Sequence, residues 1–322
     1  FKTYLLLVYI ETVMFEIFDM VLPTEAQLEV IGTQYLGFPK EIPLYFAFQL
    51  AIAMTIWRYL IQFGVSGLFK YVEPNIGTEE DKKEVRIKAG ESGYKLLYKA
   101  FKLLFYAFSW MWLVRIVEGL GIWDNTLDCI VDYPYEKSYS INAVYMWELG
   151  FYISHLFCHF TIETRRKDFV EMIVHHLSTV ILIGFSYVYG YERIGLLVLV
   201  LHDISDAFLE LGKVFLFLDI DFAATICFVC LMVSWFMTRL YYFPTKVLTS
   251  VYYEHYLLKD IPLVLPLFSL LCVLQVLHVY WFSLILNLAY KKLFMDGVKI
   301  EDTREGETPP APKATKETKK KK

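Results

Sequence analysis

From residue 4 to residue 290 the chain repeats one pattern, stretches of about twenty mostly apolar residues joined by short charged connections. A helix of that length crosses the hydrocarbon of a bilayer, and helices satisfy their own backbone hydrogen bonds without water. Candidate spans lie near 4–22, 43–69, 94–117, 141–162, 169–189, 194–218, 223–243 and 263–290. The fold class that follows is an all-α polytopic membrane protein of about eight transmembrane helices. Glu11, Glu16 and Asp19 interrupt the first candidate, so an interfacial or partner-packed helix stands beside a span there. The apolar fraction of 57% agrees, since soluble domains lie near 45–50%. The formal charge of -4 excludes little, because the charges gather in loops and tails.

The five cysteines are scattered, and four lie inside apolar stretches where a disulfide framework is not expected. Cys227 and Cys230 form a C-x-x-C, but within an apolar helix they read as small packing residues. A first residue of Phe1 rather than Met is expected of a piece of a longer chain.

Lysine and arginine set the orientation. Lys70, Lys82, Lys83, Arg86, Lys88, the run Arg165-Arg166-Lys167, Lys291 and Lys292 fall on one side. The other side holds only Lys40, Lys137, Arg193, Lys246 and Lys259, spread singly. The denser side is expected in the cytosol, which with eight spans places both termini there. Three regions follow: an N-terminal transmembrane region 1–93 with a cytosolic loop 70–93, a second group of spans over 94–290, and a disordered basic tail 291–322. The tail ends Lys319-Lys320-Lys321-Lys322, which fits either attraction to anionic lipid or a dilysine address for the endoplasmic reticulum.

An ionisable residue inside a span is costly and marks a functional candidate. Three consecutive spans are expected to carry nearly all of them. Glu148, Tyr152, His155 and His159 are spaced by four, three and four, along one helical face. Glu171 and the pair His175-His176 follow, then His202, Asp203, Asp206, Glu210 and Lys213. Counted from the cytosolic ends, His155 and His175 lie roughly 10 Å deep, Glu210 about 12 Å and Asp206 about 18 Å. The stripes can therefore meet at one level, in an inner cavity beneath the Arg165-Arg166-Lys167 loop. His278, alone in its span, reads as a hydrogen bond to a neighbouring helix.

Adjacent histidines point about 100° apart, so one of the pair can act on substrate while the other orients it or reaches the next helix. A carboxylate from Asp203 or Asp206 is expected to fix the imidazole tautomer and stabilise the imidazolium. That set suits proton removal from an amine with acyl transfer from a thioester, directly or through an acylated histidine. A redox metal centre is the competing chemistry, but desaturase-like sites use about eight histidines in repeated boxes and the chain has seven. No metal and no cofactor are expected.

The run Trp147-Glu148-Leu149-Gly150-Phe151-Tyr152, then Glu163-Thr164-Arg165-Arg166-Lys167-Asp168-Phe169, Glu171-Met172, His175-His176 and Leu201-His202-Asp203-Ile204-Ser205-Asp206 resembles the Lag motif of ceramide synthases, in the TLC-domain superfamily. Thr238 to Pro244 and Leu274 to Trp281 look like further family segments, and the Arg-Arg-Lys run looks closer to fungal or other non-animal members. The resemblance covers roughly 94–290. It implies a ring of about six helices around an acyl tunnel, with His175, His176, Asp203 and Asp206 matching the catalytic histidines and aspartates. The implied activity is transfer of a fatty acyl group from acyl-CoA to a sphingoid base in the endoplasmic reticulum membrane, and a non-catalytic lipid-binding or translocon-associated TLC protein is the alternative. Glu148, Tyr152, His155, Arg165, Arg166, Lys167, His202, Glu210 and Lys213 are candidate substrate-binding residues, the basic run for the phosphates of CoA or for topology alone. The partners expected are acyl-CoA, the sphingoid base, membrane lipid, and a second copy or a small regulatory membrane subunit, with no nucleic acid. The stretch 244–262 is expected to form a loop that closes the tunnel and sets acyl length.

Overall fold

The computed structural model describes residues 42–69, 78–129, 138–163, 167–257 and 264–294. The candidate span 4–22 and residues 295–322 of the tail lie outside the described residues, and residues 291–294, expected as the start of a disordered tail, are the last turn of a helix. Eight α-helices follow in order: α1 Tyr45–Phe69, α2 Glu79–Gly119, α3 Tyr139–Thr161, α4 Phe169–Tyr189, α5 Glu192–Phe217, α6 Asp221–Trp235, α7 Thr249–Leu257 and α8 Val264–Phe294. A π-helical stretch, Phe236–Leu248, joins α6 to α7 without a break. The chain is thus an all-α multi-pass membrane protein.

Among the described residues, five helical segments are long and apolar enough to cross a bilayer, the third being Phe169–Tyr189 and the fourth the continuous Asp221–Tyr253. Helices α3 and α5 are as long, at 23 and 26 residues, but carry their polarity inward: Glu148, His155, His159, His202, Asp203 and Glu210 are all buried. A face that lipid would reject is thereby turned to the protein interior.

The helices close into a ring. Helix α3 packs on α4, α4 on α8, α8 on the π-helical stretch, α5 on that stretch and on α6, and α2 on α5 and α3; α1 lies against α2 and α3. Close approach of α1 to α3 depends on Gly150, where a Cβ would stand 2.8 Å from Leu50 Cβ. Gly190, with φ 78°, caps α4 in the left-handed region and lets α5 start two residues later.

Two further stretches differ from the sequence reading. Residues 79–93, expected as part of a cytosolic loop, are the first turns of α2, a helix of 41 residues. Thr78 caps it, its hydroxyl accepting from the Asp81 N–H while the Asp81 carboxylate accepts from the Thr78 N–H. The stretch is rich in Glu and Lys, good helix formers that need no apolar stripe when solvated. Residues 245–257, expected as loop, are also helical. Pro244 lacks an N–H and crowds the preceding turn, and the wider π turns absorb it: the Thr249 N–H donates to the Pro244 carbonyl five residues back.

Gly195 of α5 faces Tyr145, whose hydroxyl donates to the Glu192 carbonyl at 2.9 Å and accepts from Ser186. A Cβ at 195 would fall 1.8 Å from that hydroxyl oxygen. Tyr145 is fully buried and has nowhere to go. Gly195→Ala is therefore expected to cost about 1–3 kcal/mol through overpacking. A thermal unfolding midpoint in detergent equal to that of the unsubstituted protein would contradict this.

Candidate active site

His176 sits at the centre of a group of rings. Its centroid lies 5.4 Å from His175, 6.0 Å from His155, and 6.1 Å from both Tyr152 and His159. The four-three-four spacing on α3 does place Tyr152, His155 and His159 on the side of that helix that meets α4. His175 turns away from this group, edge-on to Trp281 of α8 at 5.4 Å. Both members of the pair are buried, and the Nδ1 atom of each has no hydrogen-bond partner among the described residues.

The neighbouring histidines differ, because their nitrogens are engaged. His155 Nδ1 donates to the Phe151 carbonyl at 3.1 Å, so its Nε2 accepts from the Tyr98 hydroxyl at 2.7 Å. His202 Nδ1 donates to the Val198 carbonyl, which leaves its Nε2 to accept from His278 Nε2 at 2.9 Å. His278 thus makes the interhelical bond expected of it, joining α8 to α5. Among the described residues no three His, Cys, Asp or Glu side chains group as a metal site requires.

The carboxylates depart from expectation. Asp206 accepts from Arg239 Nη2 at 2.7 Å, and the same nitrogen donates to the His202 carbonyl. Asp203 and Glu148 are fully buried; the Asp203 carboxylate has no hydrogen-bond partner among the described residues, and Glu148 lies beside the Ser109 hydroxyl of α2. So neither aspartate bonds the imidazole of His175 or His176. For Asp206 the physical reason is the guanidinium of Arg239, a stronger partner for a carboxylate than a neutral ring. Glu210 accepts from Lys102 at 2.6 Å and from Lys213 at 3.3 Å, binding α2 to α5. Lys167 is exposed at the start of α4, and Arg165 and Arg166 lie outside the described residues.

Three residues central to this network were not singled out from the sequence: Arg58, Lys102 and Arg239. Each is a cation inside a span, so the rule that flagged the carboxylates flags them equally. Arg58 donates to Glu163 at 3.0 Å and to the Tyr94 hydroxyl at 3.0 Å.

A cavity opens beside His175. It holds about 820 Å³ of empty space, its open mouth included, and its wall is almost wholly apolar. Tyr152, His175 and His202 stand at one end, and Leu267, Leu271 and Leu274 of α8 line its side. At the far end are Ser186, Tyr191, Val251 and Val264. Polar rings thus meet a long apolar hollow, an arrangement suited to chemistry on the head of a lipid chain.

The TLC-domain family matches residues 96–287. The chain is 34% identical over 275 residues to ceramide synthase LOH2 of Arabidopsis thaliana, which covers 82% of this chain and 90% of that protein. It is 32% identical to ceramide synthase 1 LOH3 of the same plant, over 82% of this chain and 89% of that protein. Ceramide synthase 4 of Mus musculus is 38% identical over 62% of this chain and 48% of its own length. The helical ring, the buried histidine pair and these relatives agree, and the chain belongs to the ceramide synthases of the TLC-domain family.

Proposed function

We propose that this protein moves a fatty acyl group from acyl-CoA to the amine of a sphingoid base, with His175 and His176 as the groups that take the proton. The observation that carries the reading is a pair of adjacent buried imidazoles, each with an unengaged Nδ1, of which His175 lines the polar end of an apolar cavity. The relatives named ceramide synthases favour catalysis over the non-catalytic alternative. The reading takes the Phe169 end of α4 as cytosolic, the endoplasmic reticulum as location, and membrane lipid as surroundings. It needs no cofactor, and it leaves a second copy or a small membrane subunit as protein partner. Arg165, Arg166 and Lys167 would meet the phosphates of CoA at the mouth.

In this scheme the thioester carbonyl lies against His175 and the tail runs down the cavity. From His175 to Ser186 the wall of α4 rises about 16 Å, room for roughly thirteen extended carbons. Water is excluded along that length, so a base and its ammonium partner interact strongly there. Purified protein given labelled acyl-CoA and sphinganine is expected to form ceramide. Unchanged acyl-CoA after prolonged incubation, with a relative active in parallel, would refute the proposal.

The length assignment moves with the structure. The loop expected to close the tunnel is largely helix, and the cavity walls take over its role, Val251 and Val264 included. Ile183 lines the cavity two helical turns beyond His175. Ile183→Phe is expected to shift products toward acyl chains of roughly ten carbons or fewer. An unaltered product distribution would mean that the acyl chain lies elsewhere.

A further inference from the structure

The proposed reaction leaves one proton over. A long-chain base arrives as an ammonium with three N–H protons, and its amide keeps one. As the C–N bond forms and the C–S bond breaks, the departing CoA thiolate takes the second. The third must leave a site enclosed by apolar helices in every turnover, and the histidine that received it stays charged until it does.

His155 and His159 stand at nearly equal distance from His176, at 6.0 and 6.1 Å between centroids. His155 is closed to traffic, since one nitrogen donates to a carbonyl and the other accepts from a tyrosine hydroxyl. His159 is different. Its Nδ1 lies 3.0 Å from Glu163 Oε2 and its Nε2 lies 3.2 Å from the Phe169 carbonyl. Both neighbours are acceptors, so a proton taken up on Nε2 can be held there while the Nδ1 proton passes to Glu163. Glu163 stands just past the end of α3, and its side chain is 23% exposed. Burial works against its charge, yet the His159 hydrogen bond and the Arg58 guanidinium hold its carboxyl well below the usual carboxylate range. An anion thus faces His159 on the side nearest the surface.

We infer that His159 and Glu163 are the route by which the surplus proton leaves His176 for the cytosolic surface. The ring centroids of His176 and His159 are 6.1 Å apart, a separation that a bridging water can cross. Arg58 anchors the outer end by holding Glu163 in place through its other carboxylate oxygen. Neither relay residue lines the cavity, so neither is needed to hold the acyl chain.

The inference rests on the proposed N-acyl transfer, and its test is separable from it. His159→Gln and Glu163→Gln are assayed at pH 7 in dilute buffer, with and without added imidazole, beside the unsubstituted protein. The expected result is a kcat about tenfold lower, with KM for acyl-CoA within about twofold, and recovery when imidazole carries the proton instead. Glu163→Asp, which keeps the carboxylate, is expected to stay close to the unsubstituted rate without imidazole. An unchanged kcat in both Gln variants overturns the relay, as does a loss that imidazole leaves untouched. Failure of the underlying reading shows differently, as no ceramide from the unsubstituted protein.

Discussion

Replacing His175 or His176 by Ala is expected to lower ceramide formation at least about a hundredfold, the contribution a positioned general base makes. Both imidazoles are buried with an unengaged Nδ1. Their surroundings differ, however. His175 lines the cavity beside Trp281, whereas His176 is enclosed by Tyr152, His155 and His159. In the proposed scheme His175 is accordingly the group that meets the thioester or amine, and His176 the one that hands a proton on. Truncating a buried ring also leaves a void, so the thermal midpoint must be measured beside the rate. A rate near that of the unsubstituted protein in both variants would remove the pair from the mechanism. Loss of rate in step with loss of folded protein would assign the rings to packing.

Arg239→Met is expected to destabilise the fold by about 3 kcal/mol, because it leaves the partly buried Asp206 carboxylate, 18% exposed, without its cation. Arg239 is 2% exposed; it spans from Asp206 to the His202 carbonyl and lies over the Trp235 ring at 3.9 Å. One side chain therefore ties the π-helical stretch to α5, next to the histidine pair. A domain of this size loses roughly 2–4 °C of midpoint per kcal/mol, so a fall of about 10 °C in detergent is the expected reading. Asp206→Leu in the same chain is expected to recover much of it, since an apolar pair of similar volume often replaces a buried ion pair without cost. A midpoint within a degree or two of the parent for Arg239→Met alone would show that the pair contributes nothing to the fold.

Much of the site was legible before the structure. The spacing from Glu148 to His159 placed four polar groups on one face of α3, and all four are buried. What the spacing did not disclose is that one face serves different partners: His155 meets Tyr98, His159 meets Glu163, and Glu148 lies beside Ser109. The statement that three spans carry nearly all the intramembrane charge was too narrow, because Arg58, Lys102 and Arg239 lie in three others. The two misread connections share a cause. Hydropathy marks where lipid-facing helix stops, and neither the solvated start of α2 nor the helix that runs on past Pro244 ends there.

The sequence by itself determined that this chain is helical and lies in a membrane, and which helical faces turn inward. Those properties follow from length, hydropathy and the 3.6-residue period, all local to a segment. The tertiary structure alone decided which charge meets which. Arg58 finds Glu163 across 105 positions, Lys102 finds Glu210 across 108, and His202 finds His278 across 76. Such pairings depend on how distant helices neighbour and rotate against one another, set by close contacts such as that at Gly150. A periodicity reports the face and depth of a residue, and the neighbour across the ring is a property of packing.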